Sequence, residues 1–279
     1  MILLFDTEGG LCNQILDIQS AIQFSVKHSF SFSFRYCSFR KSDVTSFIRK
    51  PFHLLFNPSF FQHFKNYIPF NSIQNDIQSQ NTYNFQSKNS IKLFNDEDIL
   101  LQFIKQNVSL KYIILPQFFA ISNFTNHHQN YYHKIKPSSS ILSIFFHLKK
   151  RILPKEFNFI HYRFEHDFTK YFSITNVISI DSILKITSFQ KKNIPTYIAC
   201  SNLTSLSKTI YLTNPIESYP NLLYKDNYIN EFHLEYLNFE EKAFIDFLIG
   251  LYSSEVIGHR KSSFSKLLNY YKGSSNYYN

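Results

Sequence analysis

Hydrophobic and polar positions alternate in two rhythms along this chain. The first residues, Ile2 to Phe5, form a short apolar run that meets Asp6 and Glu8, which reads as a strand entering a polar loop. Leu11, Ile15, Ile18, Ile22 and Val26 then recur at helical spacing and predict a helix from Leu11 to Lys27. Phe30, Phe32, Phe34 and Tyr36 alternate with Ser31, Ser33 and Arg35, the period of a half-buried strand. Residues 41–70 carry Pro51, Pro58 and Pro69 among aromatic clusters and predict short helices and turns. Asn71 to Asn89 is polar and is expected to be a surface loop. A helix from Asn95 to Val108, with Asn95 as cap, and a strand from Tyr112 to Leu115 ended by Pro116 complete the first half.

Lys136 to Ser140 is a Pro/Ser break and a candidate domain boundary. A helix from Ile141 to Arg151 follows, then a strand from Phe157 to Arg163 that delivers His161, Arg163, Glu165 and Asp167 at alternate positions. Four ionisable groups there are expensive in a core. At the carboxyl mouth of an open α/β sheet they suit a ligand. The plainer reading is a solvated strand end in which Arg163 and Glu165 neutralise each other. Ser179 to Thr187 reads as helix, Thr196 to Cys200 and Lys208 to Leu212 as strands. Asn238 and Glu241 form an N-cap with a capping-box partner ahead of Ala243, Phe244, Phe247, Leu248 and Leu251. A strand from Ser254 to Gly258 then runs into His259, Arg260, Lys261, Ser262, Ser263 and Phe264 at the start of a last helix. Alternating strands and helices predict mostly parallel sheet covered by helices. There is no internal repeat.

Bulk properties narrow the function. The chain has 279 residues, of which 44% are hydrophobic, with 32 Phe and 19 Tyr, enough for one large domain or two ordinary ones. The net charge of +9 is scattered, and its tightest run is Lys149-Lys150-Arg151. A nucleic-acid binder would show a basic stripe or a recognisable module, so nucleic acid is not an expected partner. An excess of this size also suits a diphosphate ligand. Cys12, Cys37 and Cys200 have neither disulfide nor metal spacing. His127, His128 and His133 invite a metal reading, but no Cys or carboxylate completes the set. No signal peptide or membrane-length apolar run is visible, so the chain reads as soluble and, by default, cytoplasmic. The sequons at Asn107, Asn123 and Asn202 matter only in a secretory compartment.

Two loops carry candidate chemistry. Strand, Gly9-Gly10 and helix open a nucleotide-binding α/β unit without its G-x-G-x-x-G fingerprint. This loop places Glu8, Asn13 and Gln14 at a helix N-terminus, which favours anions, although an ordinary strand-to-helix connection looks the same. The segment from Gly258 to Phe264 has the make-up of a polyanion cradle: a glycine, basic side chains and two hydroxyls at a helix start. Ser262 is also a plain N-cap candidate, and Asp246 also reads as a solvated helical carboxylate.

Taken together, Glu8-Gly9-Gly10-Leu11-Cys12-Asn13-Gln14, the H-x-R-x-E-x-D run from His161 to Asp167, and the segment from Asp246 to Ser262-Ser263-Phe264-Ser265 resemble the protein O-fucosyltransferase family. Thr196 to Ser201 resembles the family's strand usually followed by an acid, with Ser201 where that acid stands. Residues 41–150 match little. The resemblance implies an α/β, GT-B-like architecture of two Rossmann-like domains facing across a cleft. Residues 1–140 would be the acceptor-side domain and 141–279 the domain binding the GDP-sugar. It implies inverting transfer of fucose from GDP-fucose to a protein or glycan hydroxyl, with no metal or other cofactor. By the same resemblance, Arg163 grips the diphosphate beside His161, Asp246 helps read the guanine, and Ser262, Ser263 and Phe264 hold phosphates and nucleoside. Asn13 and the Gly9-Gly10 backbone would line the junction of donor and acceptor. Glu8 is the base by position, with Glu165 or Asp167 as alternatives or as partners of Arg163. A second reading is a non-catalytic relative that binds a glycan or protein.

Overall fold

The computed structural model describes residues 1–41, 46–77, 82–84, 97–116, 135–163, 170, 173, 178–186, 194–200, 221–223, 234–274 and 276–278. The expected strand at Lys208–Leu212, the Asn95 cap and the His127/His128/His133 group lie outside them. The chain divides into two compact units, Met1–Ser139 and Ser140–Asn279.

The first unit holds a five-stranded sheet in the order β3-β2-β1-β5-β4. Its strands are β1 (Ile2–Asp6), β2 (Ser31–Arg40), β3 (Phe47–Pro51), β4 (Thr82–Asn84) and β5 (Tyr112–Pro116). β1 pairs in parallel with β2 and β5, and β4 in parallel with β5, while β3 runs antiparallel on the edge beside β2. Helix α1 (Leu11–Lys27) spans the residues its periodicity predicts. α2 (Glu97–Gln106) buries Leu100 and Ile104. The Pro-rich segment forms short 3-10 turns at Phe52–Leu54, Pro58–His63 and Phe70–Ser72, as its punctuation suggests. Strand β4 and a helical turn at Gln74–Ile77 stand inside the stretch read as a surface loop, and strand β3 was not expected. Its residues are alternately exposed and half-buried, so it lacks the apolar face by which a strand is read. Aromatic rings pack β2 against the 3-10 turns: Phe34 stacks on Phe52 at 4.9 Å, and Phe52 on Phe56 at 5.0 Å.

The second unit holds a sheet in the order β10-β9-β6-β7-β8, with every pairing parallel. Its strands are β6 (Asn158–His161), β7 (Thr196–Ala199), β8 (Leu222–Leu223), β9 (Glu255–His259) and β10 (Tyr277–Tyr278). The helices are α3 (Ser139–Arg151), α4 (Ile180–Ile186), α5 (Phe239–Tyr252) and α6 (Ser263–Lys272). Strand alternation sorts the helices onto opposite faces. Ile160, Ile198 and Ile257 cluster with Ile180, Ile183 and Leu184 of α4. Phe159, one residue earlier, stacks on Tyr197 at 5.7 Å and meets α5 and α6 on the other face. The strand order reverses between β6 and β9, so their carboxyl ends flank the switch point, where open parallel sheets bind ligands.

The N-terminus of α5 is held as its sequence predicts. The backbone N–H and side-chain amide of Asn238 both donate to Glu241 Oε2, at 2.7 and 2.8 Å. Farther along α5, the helices close on β6 through Gly250, where a methyl group would stand 2.6 Å from Leu268 Cδ2 and 3.2 Å from Phe159 Cζ. Gly250→Val should therefore overpack this junction and lower stability by about 1–3 kcal/mol in urea unfolding. Unchanged stability would show that the helix pair has slack.

Candidate functional site

In the second unit, β6 ends by pointing His161 at the face that carries α6. The imidazole Nδ1 lies 2.8 Å from Ser265 Oγ, and the ring stacks on Phe264 with centroids 4.1 Å apart. This contact requires Gly258 on the neighbouring strand. A Cβ there would sit 2.3 Å from Ser265 Oγ and 2.6 Å from its Cβ. Phe264 is braced from behind by Phe247 of α5, edge to face at 5.4 Å.

Arg163 leaves the strand two residues after His161. Its backbone N–H donates to the hydroxyl of Tyr278 at 2.9 Å, and that hydroxyl donates to the His161 carbonyl at 3.0 Å. One phenol thus fixes both sides of the turn that carries the guanidinium. The Tyr278 ring also meets His259 edge-on at 5.2 Å.

The connection from β9 to α6 tightens over this turn. Ser262 N–H donates to the His259 carbonyl at 3.0 Å, and Lys261 N–H to His259 Nδ1 at 3.1 Å. The second bond requires an unprotonated Nδ1, so the neutral ring carries its proton on Nε2. Burial first, then the charges of Lys261 and Arg163, hold the His259 pKa below its ordinary value. That repulsion marks where positive charge accumulates, at the start of α6. Ser262 occupies the N-cap position in extended conformation, but its hydroxyl makes no capping hydrogen bond. The buried Ser262 hydroxyl therefore does not play the plain cap role.

Asp246 is buried, not solvated. Its Oδ1 accepts a 2.7 Å hydrogen bond from Tyr197, which fixes the carboxylate against β7. The structure thus brings His161, Arg163, Ser262, Ser263 and Phe264 to one end of the sheet, with Asp246 anchored to β7. Glu165, Asp167 and Ser201 lie outside the described residues.

In the first unit the loop after β1 is built around Gln14, a residue the sequence places at the anion-facing helix start. It is instead fully buried, and its amide makes four hydrogen bonds. The oxygen accepts from the Thr7 hydroxyl at 2.8 Å and Ser38 N–H at 3.0 Å, and the nitrogen donates to the carbonyls of Gly9 at 2.9 Å and Ser38 at 2.8 Å. Gln14 is a clamp, with no donor or acceptor to spare. Gly9 adopts φ +87°, a conformation that favours glycine, and the side chain of Asn13 folds over it. Gly10 caps α1, and a Cβ on it would stand 2.9 Å from Arg40 Nη2.

Three guanidinium groups surround this loop, and the sequence reading did not single them out. Arg35 grips Asp6 with two bonds, Nε to Oδ1 at 2.9 Å and Nη2 to Oδ2 at 2.5 Å. Arg49 approaches the same carboxylate at 3.5 Å and pairs with Glu8, and Arg40 lies against Gly10. Burial pushes the Asp6 pKa up, against the pull of Arg35 and Arg49. The missed signal was Arg35 itself, a charge inside an aromatic strand beside a strand that ends in Asp. Among the described residues, no three or more His, Cys, Asp or Glu side chains group as a metal site. No helix there is long and apolar enough to cross a membrane.

His259 gives a pH signature. Its folded-state pKa lies below that of the unfolded chain, so the unfolded chain takes up the proton first as pH falls. Native stability should decline below about pH 6.5, and His259→Gln, which keeps a polar side chain there, should flatten that decline in urea titrations between pH 7 and 5. Parallel profiles for the two proteins would contradict an imidazole held neutral by burial and nearby charge.

No family model and no curated protein sequence matches this chain. Solved structures do. POFUT1 in complex with GDP superposes with a TM-score of 0.66 at 9% identity, covering 99% of this chain and 97% of that one. POFUT1 in complex with GDP-fucose gives 0.63 at 10% identity, with 99% and 97% covered. The fucosyltransferase NodZ from Bradyrhizobium gives 0.59 at 12% identity, with 96% and 92% covered. At this identity the likeness speaks for the fold, and it spans both units. The chain therefore has the α/β, GT-B fold of the fucosyltransferases POFUT1 and NodZ, as its motifs imply.

Proposed function

We propose that this protein transfers fucose from GDP-fucose to a hydroxyl acceptor, with inversion and without a metal ion. The observation that carries the reading is the meeting of Arg163, His161 and the start of α6 at the switch point of an all-parallel sheet. The fold is shared with proteins captured with GDP and GDP-fucose.

In the reaction, the bond between the fucose anomeric carbon and the β-phosphate oxygen breaks, and GDP leaves with the electron pair. The acceptor oxygen bonds that carbon from the opposite face and gives up its proton. Negative charge therefore grows on the diphosphate. The Arg163 guanidinium, the amides opening α6 and the hydroxyls of Ser262 and Ser263 stabilise it as it develops. His161, locked by Ser265, lines the same edge. Phe264 and Asp246 serve the nucleoside, with Asp246 pre-aimed by Tyr197. In the first unit, Gly9, Gly10 and Asn13 form the acceptor-side loop, and Glu8 takes the acceptor proton.

The pairing of Glu8 with Arg49 favours a second reading. A base must surrender part of that ion pair to receive a proton, and a chain in which Arg49 never yields binds its ligands without transfer. GDP affinity with no product across protein and glycan acceptors would select this reading.

Arg163→Ala tests the shared premise. Losing a charge-assisted contact worth about 1.5–3 kcal/mol should weaken GDP binding about 10- to 100-fold by calorimetry. Affinity equal to the parent would remove Arg163 from the diphosphate site.

A further inference from the structure

A cavity of about 250 Å³ opens in the first unit between β2 and the Pro-rich 3-10 turns. Nothing in the donor chemistry uses it. Phe34 and Phe52, both buried and stacked on each other, underlie it, and Tyr36, Tyr67 and Phe70 also line it. Asn71 and Gln74, both exposed, supply amides at the rim. Pro51, Pro58 and Pro69 frame the opening, and their fixed backbones keep it formed before anything binds.

The lining describes its occupant. Arg35 is the only Lys or Arg among the lining residues, and its charge is already matched by Asp6. Exposed His53 also lines the pocket, and an anion entering there meets no unmatched Lys or Arg charge. Nη1 of Arg35 takes no part in that pair and remains a donor. Burial pushes the Tyr67 phenol up to about 12, so it stays neutral near physiological pH. Aromatic faces carry negative charge and attract polarised C–H groups. Amides and a guanidinium around such faces match a ring with C–H bonds on one side and hydroxyls at its edge. An aromatic peptide side chain would match the rings but leave the rim amides and Arg35 unanswered. The volume is below the range that houses drug-sized ligands, so it suits a single ring.

We propose that this pocket seats one neutral pyranose ring, which, on the transferase reading above, belongs to a glycan acceptor. Its link to the proposed chemistry is Arg35. The guanidinium that lines the pocket bonds Asp6, the residue at which β1 enters the loop of Glu8, Gly9 and Gly10.

Saturation-transfer NMR and calorimetry on the full chain test this with methyl pyranosides of a hexose, a 6-deoxyhexose and a 2-acetamido-hexose. Indole and inorganic phosphate serve as aromatic and anionic probes. At least one pyranoside should bind saturably, and Gln74→Ala with Asn71→Ala, at exposed positions that leave the core intact, should weaken it about tenfold or more. Phe70→Ala should weaken it further while GDP affinity stays at the parent value. The proposal is overturned if no pyranoside binds, if binding survives these substitutions unchanged, or if indole or phosphate displaces every pyranoside. GDP affinity measured on the same samples separates the two claims. A parent chain that binds GDP but no pyranoside rejects the pocket alone, whereas a parent chain that binds a pyranoside but not GDP rejects the donor reading.

Discussion

Ser265 and His161 can meet only because residue 258 carries no side chain. The space a single Cβ would fill is taken by the serine hydroxyl, and the imidazole is thereby held under the first turn of α6. Everything proposed for the second unit depends on that register. It sets where the helix amides stand relative to the exit of β6. It also turns Phe264 onto the imidazole, and it leaves the turn bearing Arg163 to be gripped from the other side by Tyr278. A basic cradle is unstable by itself, since Arg163, Lys261 and His259 repel one another. The fold answers by keeping His259 neutral and by fixing the backbone of the turn.

The first unit solves a different problem. Its loop must hold two glycines and a carboxylate next to a buried Asp6. Gln14 supplies the rigidity, tying Thr7, Gly9 and Ser38 with one amide. Guanidinium groups supply the charge balance, and Arg35 and Arg49 reach the loop from β2 and β3. Edge strand β3 thus carries Arg49 to Glu8, which makes a strand with no apolar face part of the proposed site.

Much of this was legible in the residues themselves. Helix α1 declares itself because its apolar residues recur at 3.6, and β1 and β5 because short apolar runs end at Asp6 and Pro116. His161, Arg163 and the Ser262–Phe264 segment stood out because polar and charged groups at the end of a strand need a reason. What stayed hidden depended on tertiary partners. Strand β3 shows no apolar face, so its pattern cannot separate it from a loop. Gln14 reads as a polar residue at a helix start, and only the position of Ser38, 24 residues away, turns it into a clamp. Asp246 reads as solvated until Tyr197 covers it. Tyr278 reads as one tyrosine among many, because its role is a pair of backbone hydrogen bonds 115 and 117 residues distant.

The central claim is that the turn from Gly258 into α6 is where a nucleoside diphosphate is held. Hydrogen–deuterium exchange with and without GDP asks this directly. The account predicts slowed exchange at the amides from Lys261 to Ser265 and at Arg163 when GDP is added. Unchanged exchange there, with protection confined to the first unit or absent, would contradict it.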